Sequence, residues 1–161
     1  MELADRKGLG EALANEPIRR AFHFAAQANV RYALENPHAY IDSNVAGHLN
    51  VLEHFRHAGA LETLVYASSS SVYASSNPTP FREDAITDRP NSLYAATKKS
   101  QEMMSAVYAE LFGIRQIGLR FFSVYGPWGR PDMALFLFTK AILTGEPIKV
   151  FNHGHHKRSF T

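Results

Sequence analysis

Short apolar runs alternate along this chain with longer stretches of helical periodicity, and that alternation constrains the fold more than any other feature. Residues 21–26, 62–67, 115–122 and 148–151 read as strands. A short helix is expected around 11–15. A long one is expected over about 39–57, opened by Pro37, where Ile41, Val45, Leu49, Leu52 and Phe55 recur close to a 3.6 period. Gly59 follows as a stop. Ser92 is a suitable N-cap for a helix reaching Phe112, with Gly113 beyond it, and residues 133–143 form a last helix before Thr144-Gly145. The strand runs are apolar throughout, the pattern of strands buried on both faces of a parallel sheet. Strand, helix and strand in turn therefore predict an α/β, doubly wound architecture.

Composition narrows the class. A chain of 161 residues, 45% of them hydrophobic, can bury one sizeable core. A net charge of +2 gives no basic stripe for nucleic acid. The absence of cysteine removes disulfides, thiolate catalysis and thiolate metal sites. No run approaches the ~20 apolar residues of a membrane helix, and residues 1–7 lack an apolar signal region, so a cytoplasmic protein is the default expectation.

Two residues carry the chemistry. Tyr94 and Lys98 lie four apart near the start of the helix capped by Ser92, so both can project from one face. A phenol with an ordinary pKa of about 10 is a poor base at neutral pH. A fixed ammonium nearby favours the phenolate, which makes the pair a proton acceptor for an alcohol or sugar hydroxyl. The second strand ends in Ser68-Ser69-Ser70-Ser71, and ligands of doubly wound sheets bind beyond the carboxyl ends of the strands. A serine there can donate to a substrate oxygen. The alternative is a polar strand end with Tyr94 packed in the core.

Several motifs in order resemble those of the extended short-chain dehydrogenase/reductase family, the NAD-dependent sugar-nucleotide epimerases and dehydratases. They are His23-Phe24-Ala25-Ala26-Gln27-Ala28, Asp42-Ser43-Asn44-Val45-Ala46-Gly47, Tyr66-Ala67-Ser68-Ser69-Ser70-Ser71-Val72-Tyr73, Ser92-Leu93-Tyr94-Ala95-Ala96-Thr97-Lys98 and Leu119-Arg120-Phe121-Phe122-Ser123-Val124-Tyr125-Gly126-Pro127. Residues 122–133 resemble the signature of the UDP-glucuronate 4-epimerase group. Ser71, where dehydratases and decarboxylases carry an acid, also favours an epimerase.

The resemblance implies a bound NAD, a UDP-sugar substrate and a 4-keto intermediate that turns over in the pocket before hydride returns. It implies that Tyr94 moves the proton, that Lys98 also meets the nicotinamide ribose, and that Ser69 or Ser70 bonds the carbon-4 oxygen. Ala25, Ala26, Gln27 and Phe122 would lie along the cofactor. Asn44 would lie near the active site, or simply bend its helix through a polar contact. Ser123 would border the sugar, Arg130 would grip a uronate carboxylate, Phe151 would lie near the uracil, and Arg158 (or Lys157) would meet the diphosphate. His153, His155 and His156 are expected to be an exposed cluster and not a metal site, and Trp128 to pack or to line the sugar pocket. The domain expectation is a partial NAD-binding domain over 1–130 and the start of a substrate-binding region over 131–161.

The glycine-rich phosphate turn of such folds, Gly-x-x-Gly-x-x-Gly, does not occur in these residues. The expectation is therefore a Rossmann-like sheet lacking its first βαβ unit, with an exposed apolar edge and weak NAD binding by the 161 residues alone. A non-catalytic chain that binds a sugar nucleotide, or pairs with a full-length relative, is the alternative. Helices 39–57 and 92–112 are the expected surface of a homodimer.

Overall fold

The computed structural model describes residues 1–73, 77–150, 152–155 and 157–161. The chain packs as two units, Met1–Arg120 and Phe121–Thr161.

The first unit holds most of the α/β fold. Helix α1 is Arg6–Leu13, capped by Asp5, whose carboxylate accepts from the Gly8 amide. Strand β1 is Arg20–His23, followed by short helices α2 (Tyr32–Glu35) and α3 (Pro37–Tyr40). A π-helical segment, Ile41–Ala46, then leads straight into α4, Gly47–Ala58. Strand β2 is Thr63–Ser69 and passes into a single 3₁₀ turn, Ser70–Val72. Helix α5, Leu93–Phe112, and strand β3, Gln116–Phe121, follow. The sheet order is β1-β2-β3, and β1 pairs with β2 in parallel, Arg20 facing Thr63 and His23 facing Tyr66.

Helix boundaries follow the signals in the sequence. The Ser92 hydroxyl accepts from the Ala95 amide, and Gly59 and Gly113 both take the left-handed conformation, with φ of 67°, that stops a helix. Leu64 projects from the sheet into a core with Leu9, Val51, Leu52 and Phe55, and Met104 and Tyr108 of α5 pack against it. Helices α1, α4 and α5 therefore cover the Leu64 face. The opposite face is open in this unit: Phe22 is 70% exposed and Ile117 42%.

Four expectations change in this unit. The first helix runs from Arg6 to Leu13 and not over 11–15, because the Asp5 carboxylate caps it at the Gly8 amide. The strands are not buried on both faces: β2 alternates in burial from Thr63 to Ser68, because the helices of this unit lie on one side. Strand β1 stops at His23, short of residue 26, because the backbone beyond it bonds a side chain: Asn44 Oδ1 accepts from the Gln27 amide (2.8 Å) and Asn44 Nδ2 donates to the Gln27 carbonyl (3.0 Å). The stretch 39–57 is helical but not α throughout; the wider π turn lies where Asn44, wholly buried, reaches inward.

In the second unit, helix α6 is Ala134–Thr144, ended by Gly145 at φ 71°. A final strand over 148–151 is not formed: residues 146–150 carry no strand, and Phe151 lies outside the described residues. Backbone pairing there runs instead between Ser123 and Phe160, with the Ser123 amide on the Ser159 carbonyl (3.2 Å) and the Thr161 amide on the Ser123 carbonyl (3.0 Å).

Candidate active site

Helix α5 buries a polar face. Tyr94, Thr97, Lys98, Gln101 and Ser105 all point inward, along with Ala95. Turning polar groups away from water is costly unless each finds a partner, and here partners come from the sheet end, from the π segment, from α4 and from α5 itself.

Lys98, 2% exposed, is the centre of that arrangement. Its Nζ donates to the Ala67 carbonyl of β2 at 2.8 Å and to Gln101 Oε1 at 3.1 Å. Burial pushes its pKa down to about 8, so the ammonium is still the main form at neutral pH. Tyr94, one turn earlier, is also buried, with Tyr40 edge-on at 6.4 Å between centroids and Ala33 and Leu93 beside it. Tyr40 is itself fixed by its hydroxyl on the Asn29 carbonyl. The aromatic packing sets the direction of the Tyr94 phenol.

The serines lie at the carboxyl end of β2. Ser69 Oγ accepts from the Ser71 amide (3.1 Å) and caps the 3₁₀ turn. A hydroxyl that accepts this bond retains its own proton to donate. Ser70 opens the turn, its carbonyl accepting from the Tyr73 amide at 3.1 Å. Ser68 faces α5 instead: its hydroxyl donates to Glu102 Oε1 at 2.6 Å. Glu102 is in turn gripped by Arg120, with Nε on Oε1 at 2.8 Å and Nη2 on Oε2 at 3.0 Å. Burial would raise the Glu102 pKa, but the Arg120 and Ser68 bonds and the nearby positive charges outweigh it, so the carboxyl titrates below its ordinary value. Arg120 continues to the Glu83 carbonyl (3.1 Å) and lies over the Tyr73 ring (4.9 Å). One carboxylate thus joins the ends of β2 and β3 to the loop that leads into α5.

Asn44 joins the far side. Besides Gln27 it donates to Thr97 Oγ1 at 3.0 Å, next to Lys98, and its carbonyl accepts from Gln101 Nε2 at 2.7 Å. Ala25 is exposed and Ala26 half-buried, just before the pinned Gln27. The residues of the first unit named from the sequence (Ala25, Ala26, Gln27, Asn44, Ser69, Ser70, Tyr94 and Lys98) therefore gather at one end of the sheet.

The second unit carries the others. Phe122 and Ser123 are half-buried, with the Phe122 amide on Thr161 Oγ1 (2.9 Å). Arg130 is exposed and its guanidinium fork is taken by Asp132, with Nε on Oδ1 at 3.0 Å, an intraloop pair that a substrate carboxylate would have to displace. Arg158 and Lys157 are exposed, and so are His153 and His155, while Phe151 and His156 lie outside the described residues. Trp128 is 98% exposed, so within this unit it does not pack. Among the described residues no group of three or more His, Cys, Asp or Glu side chains could hold a metal, and no helix is long and apolar enough to cross a membrane.

The sequence reading overlooked Thr97, Gln101, Glu102 and Arg120. A signal existed for three of them. Counting from Tyr94 and Lys98 by threes and fours reaches Thr97, Gln101 and Glu102, so the inward face of α5 could have been followed further. It also overlooked a pair of buried rings, His23 on β1 stacked at 5.2 Å on His48 of α4, whose Nε2 lies 2.9 Å from Ser105 Oγ.

Residues 1–161 match the NAD dependent epimerase/dehydratase family. The chain belongs to that family. It is 52% identical over 148 residues to UDP-glucuronate 4-epimerase 3 of Arabidopsis thaliana, covering 90% of this chain and 34% of that one. The fold matches a crystal structure of UDP-glucuronic acid 4-epimerase from Bacillus cereus in complex with UDP-glucuronic acid and NAD, with a TM-score of 0.90 and 32% identity, covering all of this chain and 50% of that one. It also matches UDP-glucose 4-epimerase from Thermotoga maritima with UDP-glucose, with a TM-score of 0.93 and 26% identity, covering 99% and 53%. The chain spans about half the length of the curated relatives it matches.

Proposed function

We propose that this chain forms the catalytic half of an NAD-dependent sugar-nucleotide 4-epimerase that interconverts UDP-glucuronate and UDP-galacturonate. The observation that carries the proposal is the inward pair Tyr94 and Lys98 on α5, beside the serine-rich end of β2. The likeness to UDP-glucuronate 4-epimerases supports the substrate.

The residues present fit NAD. An ammonium has three N–H bonds, and Lys98 directs two of them to Ala67 and Gln101, which leaves one for a ribose hydroxyl. Ala25 and Ala26 offer a small-residue approach beside Gln27, whose backbone Asn44 fixes. When bound, NAD supplies a reversible hydride acceptor for carbon 4 of the sugar.

The chain's own residues handle protons and position. Tyr94 takes the carbon-4 hydroxyl proton and later gives it back. Ser69 or Ser70 donates to the carbon-4 oxygen. Ser123 borders the sugar, Arg130 binds the uronate carboxylate in place of Asp132, and Arg158 meets the diphosphate. Residues 131–161 begin the substrate-binding region. Met103, Val107 and Leu111, exposed at four-residue spacing along α5, are the apolar stripe through which two copies would pair.

The test is a chimera in which residues 1–161 replace the matching half of the Bacillus cereus enzyme. Incubated with UDP-glucuronate, it is expected to form UDP-galacturonate, resolved by anion-exchange chromatography. Turnover of UDP-glucose but not of UDP-glucuronate would defeat the uronate assignment.

A further inference from the structure

We infer that Gln101 is a positioning residue that holds the Lys98 ammonium at the end of β2 and ties it to the π segment carrying Asn44. The inference deepens the proposed function and rests on it for its catalytic meaning, but the contacts stand independently. Gln101 is 1% exposed. Its amide is used at both ends: Oε1 accepts from Lys98 Nζ at 3.1 Å, and Nε2 donates to the Asn44 carbonyl at 2.7 Å. The orientation of the amide is thereby fixed by chemistry. Lys98 has no lone pair to offer as an ammonium and the carbonyl has no proton, so the flipped amide would oppose like to like at both ends.

Among the described residues, Gln101 is the side chain that bonds both the Lys98 ammonium and the Asn44 carbonyl. A lysine has four rotatable side-chain bonds, and burial strips its ammonium of water. The Ala67 carbonyl holds that ammonium from the sheet side. Gln101 holds it from the helix side, one turn along α5, and so limits where the remaining N–H can point. Through Asn44 the same amide is coupled to the Gln27 backbone and to Thr97. A shift of the π segment would therefore move the Lys98 acceptor with it. Side-chain chemistry at position 101 sets both the placement of the ammonium and the ease with which it loses its proton.

Two variants separate the bonds. Gln101→Met removes both and keeps the length of the side chain. Gln101→Glu keeps an acceptor for Lys98 and removes the donor to Asn44. The readout is the titration of the Lys98 side chain by NMR, with ¹³C-labelled lysine and the signal assigned by its loss in Lys98→Met, because a merely structural role for Gln101 leaves that midpoint in place. A hydrogen bond to a charged group is worth enough to move a midpoint by roughly one pH unit or more. Gln101→Met is expected to lower the Lys98 midpoint by about that much and Gln101→Glu to raise it. Midpoints unchanged in both variants would overturn the inference. Should Gln101→Met fail to fold, Gln101→Glu decides alone: an upward shift supports the inference and no shift overturns it. The titration needs no turnover, so its outcome is independent of whether the chimera epimerises UDP-glucuronate.

Discussion

Lowering the pH from 7 to 5 should destabilise this chain steeply, because two stacked imidazoles must stay neutral for it to fold. Burial, aided by the Lys98 charge, pushes the His23 pKa down to about 4; burial, with contributions from His23 and Lys98, pushes His48 down to about 3. Both rings are buried, and among the described residues His23 Nε2 and His48 Nδ1 have no hydrogen-bond partner, so neither has an acceptor for an added proton. In the unfolded chain both titrate near the ordinary 6.5. With folded pKa values depressed, the stability is fully present above 6.5 and is lost as the pH falls toward the folded values, since the unfolded state takes up protons first. Integrating the two titrations from pH 7 to pH 5 gives a loss of about 4 kcal/mol, with a slope near pH 5 of roughly 2.5 kcal/mol per pH unit. A domain is stabilised by only about 5–15 kcal/mol in total, so the effect is large. Lys98, whose pKa is lowered to about 8, changes protonation well above this window, and Glu102, held below its ordinary value, below it. Urea unfolding at several pH values measures the slope directly. His23→Phe keeps an aromatic ring in the stack and removes one titrating group, so it should cut the slope by about half. Stability that is flat between pH 7 and 5, or a slope unchanged in His23→Phe, would refute the reasoning.

Other expected outcomes concern packing and specificity. Glu102→Gln or Arg120→Met breaks one partner of a half-buried ion pair that also anchors Ser68, and each should cost roughly 2–4 kcal/mol in urea unfolding, with the double variant costing less than the sum. Gly118→Ala should cost about 1–3 kcal/mol, because a Cβ there would lie 2.5 Å from the Tyr66 hydroxyl and 2.6 Å from its ring; thermal unfolding reads it. In the chimera, Arg130→Met should raise KM for UDP-glucuronate by about tenfold or more, the worth of a charge-assisted contact, and leave UDP-glucose unaffected.

How much of this was legible in the sequence depends on distance along the chain. Local signals located the elements well. Ser92, Gly59, Gly113 and Gly145 act within a turn of their own positions, and the helices start and stop where those residues require. The Tyr94 and Lys98 pair was readable because both partners share one helix turn. What was hidden depends on contacts between remote segments. The π turn at 41–46 answers to Gln27, Thr97 and Gln101, 17 to 57 positions away from Asn44, and no local periodicity announces it. Strand β1 ends early for the same reason. The expected strand at 148–151 had the right residue types, but its described residues, 148–150, have no ladder partner, and a strand is defined by its partner. Arg130 was read as free for a ligand because its pairing with Asp132, two residues on, is a matter of loop conformation and not of composition.

The most direct test of the proton-transfer role assigned to this site is Tyr94→Phe in the chimera, assayed for UDP-galacturonate formation alongside NAD content. The phenyl ring preserves the packing against Tyr40 and removes only the hydroxyl. Turnover should fall by about 10²–10⁴-fold, the scale of a lost general acid–base group, with NAD retained. Turnover close to that of the parent chimera would contradict the assignment of Tyr94 as the proton carrier.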